Sequence, residues 1–425
     1  MKRRIFCCIW AALCCVAAVA QSGTNSPYSQ YGLGVISDQS QGFSRGMNGV
    51  GLALRKGNIV NTLNPASYSA IDSLTMIFDV GLSGQITNFK EGASSVNAKN
   101  ANFEYAVGSF RLMRNVGMSF GILPLTNIGY TYTSYTKLEE NRGTIAETYS
   151  GDGGLHQVFL GAGWRIFKPL SIGFNAQYVW GDCERYILSS TGTDINSLEK
   201  NYSFSVQSYH IDLGLQWHQI LKNRDEIVVG ATVGLGHKLG ADPQCMIINT
   251  NSLSSTPDTT MFTITNGVSL PMTYGLGVSW SHKNSLLVDF DATLQQWGKL
   301  DYPSYESGSY VLKSGLLKDR YKFNVGADYV PNAMSRKLLH RVHYRLGAGY
   351  ATPYYKINGL DGPKEISVSA GFGIPLQNAY NNRSVLNISA QWVNTSATGF
   401  IKENTFRINV GLTFNERWFA KWKVD

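Results

Sequence analysis

Eleven ionisable residues stand at polar positions of segments that otherwise alternate apolar and small residues: Asp79, Arg165, His210, Asp212, Asp289, Asp291, Lys322, Asp328, His343, Arg345 and Arg407. Charged groups embedded this way either pair with one another or line the path of a ligand, and a set of structural ion pairs is the plainer reading. Catalytic chemistry finds no footing. There is no His-Glu-x-x-His, no Gly-x-Ser-x-Gly and no Cys-x-x-Cys beyond the N-terminal run. His340 and His343 form a lone pair near a turn, and Ser208 and His210 lack an obvious third partner for a nucleophilic triad. The expectation is a non-enzyme with no metal and no cofactor.

The elements that must position these groups read as strands. In 383–394, Leu386, Ile388, Ala390 and Trp392 fall on one face, and Asn387, Ser389 and Gln391 on the other. Similar alternation places strands near 74–87, 101–111, 115–136, 153–166, 169–181, 203–219, 225–238, 269–281, 285–298, 320–330, 341–351, 365–375, 384–394 and 404–414. The connections between them alternate long and short, as in outer-membrane barrels with an even number of antiparallel strands. Trp164, Trp180, Trp217, Trp280, Trp297 and Trp392 each end a strand, where an interfacial aromatic belt would lie. The opposite faces are small: Thr273, Gly275, Gly277 and Ser279 are one such row, and Gly230, Thr232, Gly234 and Gly236 another. A fourteen-stranded barrel lined this way is hollow, and the hollow must hold water, a ligand or a plug. The fold class expected is therefore all-β, a transmembrane antiparallel barrel of about fourteen strands.

Composition agrees. The chain has 44 Gly, 23 Tyr and 19 Phe against 16% charged residues, and its mean hydropathy is −0.13. Its formal charge of +8, three of it from Lys2, Arg3 and Arg4, is scattered, so nucleic-acid binding has no support. The basic start, the apolar run Ile5–Ala20 and Ala18-Val19-Ala20 before Gln21 read as a signal peptide over 1–20, with export followed by removal. That places the mature protein in the outer membrane of a Gram-negative bacterium, in contact with its lipid. Four of the six cysteines leave with that peptide, and Cys183 and Cys245 remain in long loops. A disulfide tying those loops together and two unpaired thiols are both open.

Residues 21–70 carry Gly32, Gly34, Gly42, Gly46, Gly49, Gly51 and Gly57 and do not read as strands. The run Arg45-Gly46-Met47-Asn48-Gly49-Val50-Gly51-Leu52-Ala53-Leu54, followed by Asn64-Pro65-Ala66, resembles the FadL/TodX family of outer-membrane transporters for long-chain fatty acids and other hydrophobic compounds. The resemblance implies an N-terminal hatch (21–70) inside a barrel (71–425), with Gly46, Gly49, Gly51, Asn64, Pro65 and Ala66 in its gate. It implies passive uptake of a hydrophobic small molecule, with a sideways exit where strand three is kinked. Pro124, Asn127 and Gly129 are the kink candidates, because proline cannot donate to a strand ladder. A fatty-acid carboxylate would need one unpaired cation, and Arg165, Arg345 and Arg407 are the candidates. Ser67-Tyr68 after Asn-Pro-Ala, Arg55-Lys56 and the Ser-, Thr- and Asn-rich outer loops depart from the family pattern. They keep open a second role, a barrel that binds proteins as an accessory of a secretion machine.

Overall fold

A computed structural model describes residues 23–137, 144–191, 196–221, 225–251, 257–376 and 384–417; the expected signal peptide over 1–20 lies outside them. Fourteen strands form the wall: β1 (Thr75–Glu91), β2 (Ser94–Met113), β3 (Val116–Pro124), β4 (His156–Arg165), β5 (Leu170–Thr191), β6 (Asn196–Ile220) and β7 (Glu226–Gly234), then β8 (Thr273–His282), β9 (Leu286–Gln295), β10 (Arg320–Tyr329), β11 (His343–Ala351), β12 (Lys364–Leu376), β13 (Ser384–Ser396) and β14 (Lys402–Arg417). Each pairs antiparallel with the next. β14 returns to β1 in continuous register from Thr75↔Arg417 to Lys90↔Lys402, so the sheet closes on itself. Closure satisfies backbone groups that an open edge would leave bare in lipid.

Side-chain alternation decides which face is which. On β8 the outward Leu276 and Val278 are 63% and 48% exposed, while the inward Ser279 is 3% exposed. Leu346, Phe372, Ile408 and Val410 continue the exposed apolar belt on other strands. A belt of that kind is at rest only against acyl chains. Trp164, Trp217, Trp280 and Trp392 face outward with it. Trp297 does not: it is buried, its ring 4.7 Å from that of Tyr354 under the outer connections.

The short connection between β8 and β9 is a hairpin. It is three residues long, 283–285; Lys283 and Asn284 take positive φ, 49° and 58°, and the Ser285 N–H donates to the His282 carbonyl at 2.9 Å to close the turn. At the other end, called outer because it carries the long connections, much of what the sequence marks as loop is strand. β5 and β6 run on for 22 and 25 residues. Thr144–Gly153 joins the outer part of β5, Gln244–Asn251 joins that of β6, and Asp258–Thr263 adds a further strand. These segments have two wet faces, so they show no apolar alternation, yet their Thr and Tyr favour extended backbone. The Thr133 and Thr148 hydroxyls pair across one ladder at 3.0 Å.

The same extension answers the cysteine question. Cys183 on β5 lies opposite Phe204 of β6, and Cys245 lies opposite Tyr202 on the far side of β6. With a whole strand between them, the two Cα atoms stand at least two strand spacings apart, roughly 9–10 Å, beyond disulfide reach. Both are free, buried thiols.

Candidate functional site: the filled lumen and the break in strand three

The hollow left by small inward residues is occupied by the chain over residues 42–71. A Cβ on Gly117 would run into the Tyr68 carbonyl, one on Gly163 or Gly173 into Pro65, one on Gly230 into the Leu52 carbonyl, and one on Gly347 into Met47. The inward glycines are therefore a mould for this particular chain path. Within the path, Asn48 and Gly49 turn together at φ 58° and 79°, and the second of these conformations is one glycine adopts without strain.

Polar contacts anchor the segment around the wall. Arg45 is 3% exposed; its Nη2 sits 2.9 Å from Glu104 Oε2 on β2, and its Nη1 donates to Asn409 Oδ1 on β14 at 3.1 Å. Its Nε donates to the Ser40 carbonyl at 3.0 Å. Tyr105 Oη accepts from the Gly42 N–H at 2.6 Å. Asp291 Oδ2 on β9 accepts from the N–H groups of Gly51 and Leu52, at 2.6 and 3.0 Å. Asn48 donates to Ser367 of β12 at 2.9 Å and accepts from Gln391 of β13 at 3.0 Å. Asp328 on β10 collects Arg345, His343 and, from the segment, Lys56 at 3.2 Å. Burial alone would raise the Asp38 carboxyl, but Arg45, Lys322 and the N–H and hydroxyl of Ser40 outweigh it and hold it at about 2.

The gate residues named from the sequence lie inside this interface. Gly46 packs against Arg345 and Gly371. Asn64 caps the 3₁₀ turn Pro65–Ala70 by accepting from the Ala66 N–H at 3.1 Å, and its Nδ2 donates to the carbonyls of Leu52 and Leu215. The three candidate cations are not brought together. Arg165 ends β4 at the rim opposite the outer extensions and donates to Asn115 Oδ1 at 2.5 Å. Arg345 pairs through Nε with Asp328 and donates through Nη1 to Asn387, its Nη2 is buried without a hydrogen-bond partner, and it lies 4.0 Å from the Phe43 ring centre. Arg407 donates to Gln85 and Gln391 across β1 and β13. Arg45 and Glu104, which hold the segment most directly, were passed over in the sequence because neither sits in an alternating apolar context that marks it as inward.

Strand three breaks where the sequence placed Pro124. β3 pairs with β2 only from Ala106 to Met113. After Leu125 the chain leaves the wall, and Thr126–Lys137 pairs with Thr144–Gly153 instead. Among the described residues, the outer half of β2, from Ser94 to Tyr105, therefore has a strand partner on its β1 side alone. The N-terminal segment bridges the opening. Val35 and Ile36 pair with Asn127 and Thr126, Gly129 N–H donates to Ser29 Oγ at 3.1 Å, and Asn102 Nδ2 donates to the Gly23 carbonyl at 2.8 Å. Gln39 donates to the Pro124 carbonyl at 2.8 Å.

Solved structures share this architecture. The toluene transporter TodX of Pseudomonas putida aligns with a TM-score of 0.60 at 16% identity, over 92% of this chain and 99% of that one. The toluene transporter TbuX of Ralstonia pickettii aligns at 0.60 and 15%, over 89% and 98%. A FadL homologue of Pseudomonas aeruginosa aligns at 0.61 and 10%, over 90% and 99%. At such identities the likeness is one of fold. No curated protein sequence gives a significant match. The FadL/TodX resemblance thus holds for the barrel, while family membership lies elsewhere. A family model described as BamG matches residues 1–425, end to end, and the chain belongs to that family.

Proposed function

We propose that the protein sits in the outer membrane of a Gram-negative bacterium and takes up a hydrophobic small molecule passively, residues 21–70 acting as the hatch. The ligand class is fatty-acid-like or aromatic, and the exit is sideways, through the break in strand three. The single observation that carries this reading is the half-unpaired β2, an opening in the wall bridged by the N-terminal segment alone among the described residues. A barrel that only anchors other structure has no need of such a gap, since an unpaired edge beside lipid is unfavourable. The fold shared with the toluene transporters TodX and TbuX supports it. The test is a cysteine pair, Gly23→Cys with Asn102→Cys, made with Cys183 and Cys245 changed to Ser. Oxidation pins the segment across the gap, and uptake of labelled toluene by proteoliposomes should fall about tenfold and return on reduction. Uptake that ignores the cross-link refutes the route.

A second reading, a barrel that binds proteins as an accessory component, is favoured by two observations. The segment is anchored from β2, β9, β10, β12, β13 and β14, and the outer strands form a broad sheet beyond the lipid belt. Tyr302–Glu306 pairs with Ser309–Lys313 in an outer hairpin, and deleting residues 300–315 discriminates the two: loss of a stoichiometric co-purifying protein with toluene uptake intact supports the second reading.

A further inference from the structure

β10 and β11 are joined by residues 330–342 at the end of the barrel away from the long outer connections. Pro331 cannot continue the ladder, and the turn is then fixed by its own backbone. Asn332 N–H donates to the His340 carbonyl at 2.8 Å, the Asn332 carbonyl accepts from Ser335 N–H at 3.1 Å, and Val342 N–H donates to the Leu338 carbonyl at 3.2 Å. Held this way, Met334 is 93% exposed, Leu339 70% and Leu338 48%. Arg336, Lys337, His340 and Arg341 stand among them, and residues 330–342 contain no acid. None of these basic side chains forms an ion pair among the described residues.

Tyr344 sets the side to which the turn leans. It shares the outward face of β11 with Leu346, and its register partners Tyr329 and Phe372 are exposed on that face too. Its ring meets that of Phe372 edge-on at 5.8 Å, and its hydroxyl donates to the Leu339 carbonyl at 3.0 Å. The Leu339 backbone therefore lies over the outward aromatic row, on the lipid side of the rim and not across the lumen. Bare apolar side chains beside unpaired cations are at rest where acyl chains give way to anionic headgroups. Water would leave Met334, Leu338 and Leu339 uncovered, and the patch continues the lipid belt of the wall. We propose that this turn is a docking site for an anionic glycerophospholipid, with Met334, Leu338 and Leu339 entering the acyl layer and Arg336, Lys337 and Arg341 taking the headgroup phosphate. The inference stands apart from the uptake reading, since it concerns the lipid-facing rim and not the lumen.

The experiment places an NBD fluorophore on Ala333→Cys in the mature chain, with Cys183 and Cys245 changed to Ser, in vesicles of phosphatidylcholine and phosphatidylglycerol. Brominated forms of the two lipids, compared at equal mole fraction, report which one lies beside the turn. Quenching should favour phosphatidylglycerol by about tenfold or more, since each cation at an anionic surface is worth about fivefold. The triple variant Arg336→Gln, Lys337→Gln, Arg341→Gln should lose the preference and keep heat-modifiable migration on a gel. If that variant fails to insert, added salt in the starting protein reads the same charges, and the preference should fall while emission stays blue. Leu338→Ser with Leu339→Ser should shift emission to the red. Equal quenching by the two lipids, a preference indifferent to both the substitutions and salt, or water-like emission from the starting protein overturns the inference. Emission that turns blue only when periplasmic extract is added assigns the patch to a protein partner and overturns it as well.

Discussion

Replacing Arg45 by Met should loosen the N-terminal segment more than any other single change in it. The side chain is buried, ion-paired to Glu104 at 2.9 Å, and bonded to Asn409 and to the Ser40 carbonyl. Methionine keeps much of the volume but leaves Glu104 as a buried carboxylate whose remaining hydrogen bond comes from the Ser83 hydroxyl. Breaking one side of a buried pair costs about 3–5 kcal/mol, which raises the displaced population about 10²- to several 10³-fold. Removing both charges restores much of that, because no orphaned ion remains, so Arg45→Met with Glu104→Met should be milder than Arg45→Met alone. Planar-bilayer recording reads the result: rare opening in the wild type, frequent opening in the single variant, intermediate behaviour in the double. If Arg45→Met conducts like the wild type, or the double variant is the sum of the singles, the pair does not hold the segment and the reasoning fails.

Other substitutions test other parts. Gly230→Leu fills the space taken by the Leu52 carbonyl and should destabilise the segment by about 1–3 kcal/mol, seen as faster amide exchange over 50–54 with the wall unaffected. Asp38 ionises in the folded protein near 2, below its ordinary 3.8, so its contribution is present above about pH 4 and lost as pH falls through 2. Protease accessibility of the segment should rise over that interval, and less so in Asp38→Asn. Leu346→Arg puts a charge in the apolar belt and should lower barrel stability by about 2–4 kcal/mol in urea titrations from vesicles, whereas a neutral effect would deny that this face meets lipid. Alkylation of the unfolded, unreduced protein should modify both Cys183 and Cys245, since β6 separates them.

What the sequence by itself determined was the wall. Strand alternation repeats every two residues and is read locally, so the fourteen spanning strands and their lipid faces were legible, while Pro124, which has no N–H to give a ladder, was a candidate for the break. What only the tertiary structure decided was which inward groups meet. Arg45 and Asn409 are 364 residues apart, and their contact depends on the barrel closing in one register around one chain path. The inward glycines looked like empty space until the backbone they accommodate was in place. The outer strands carry polar residues on both faces, so no local pattern separated them from loops. Cys183 and Cys245 looked ready to pair because loops have no register, and a strand laid between them took that freedom away.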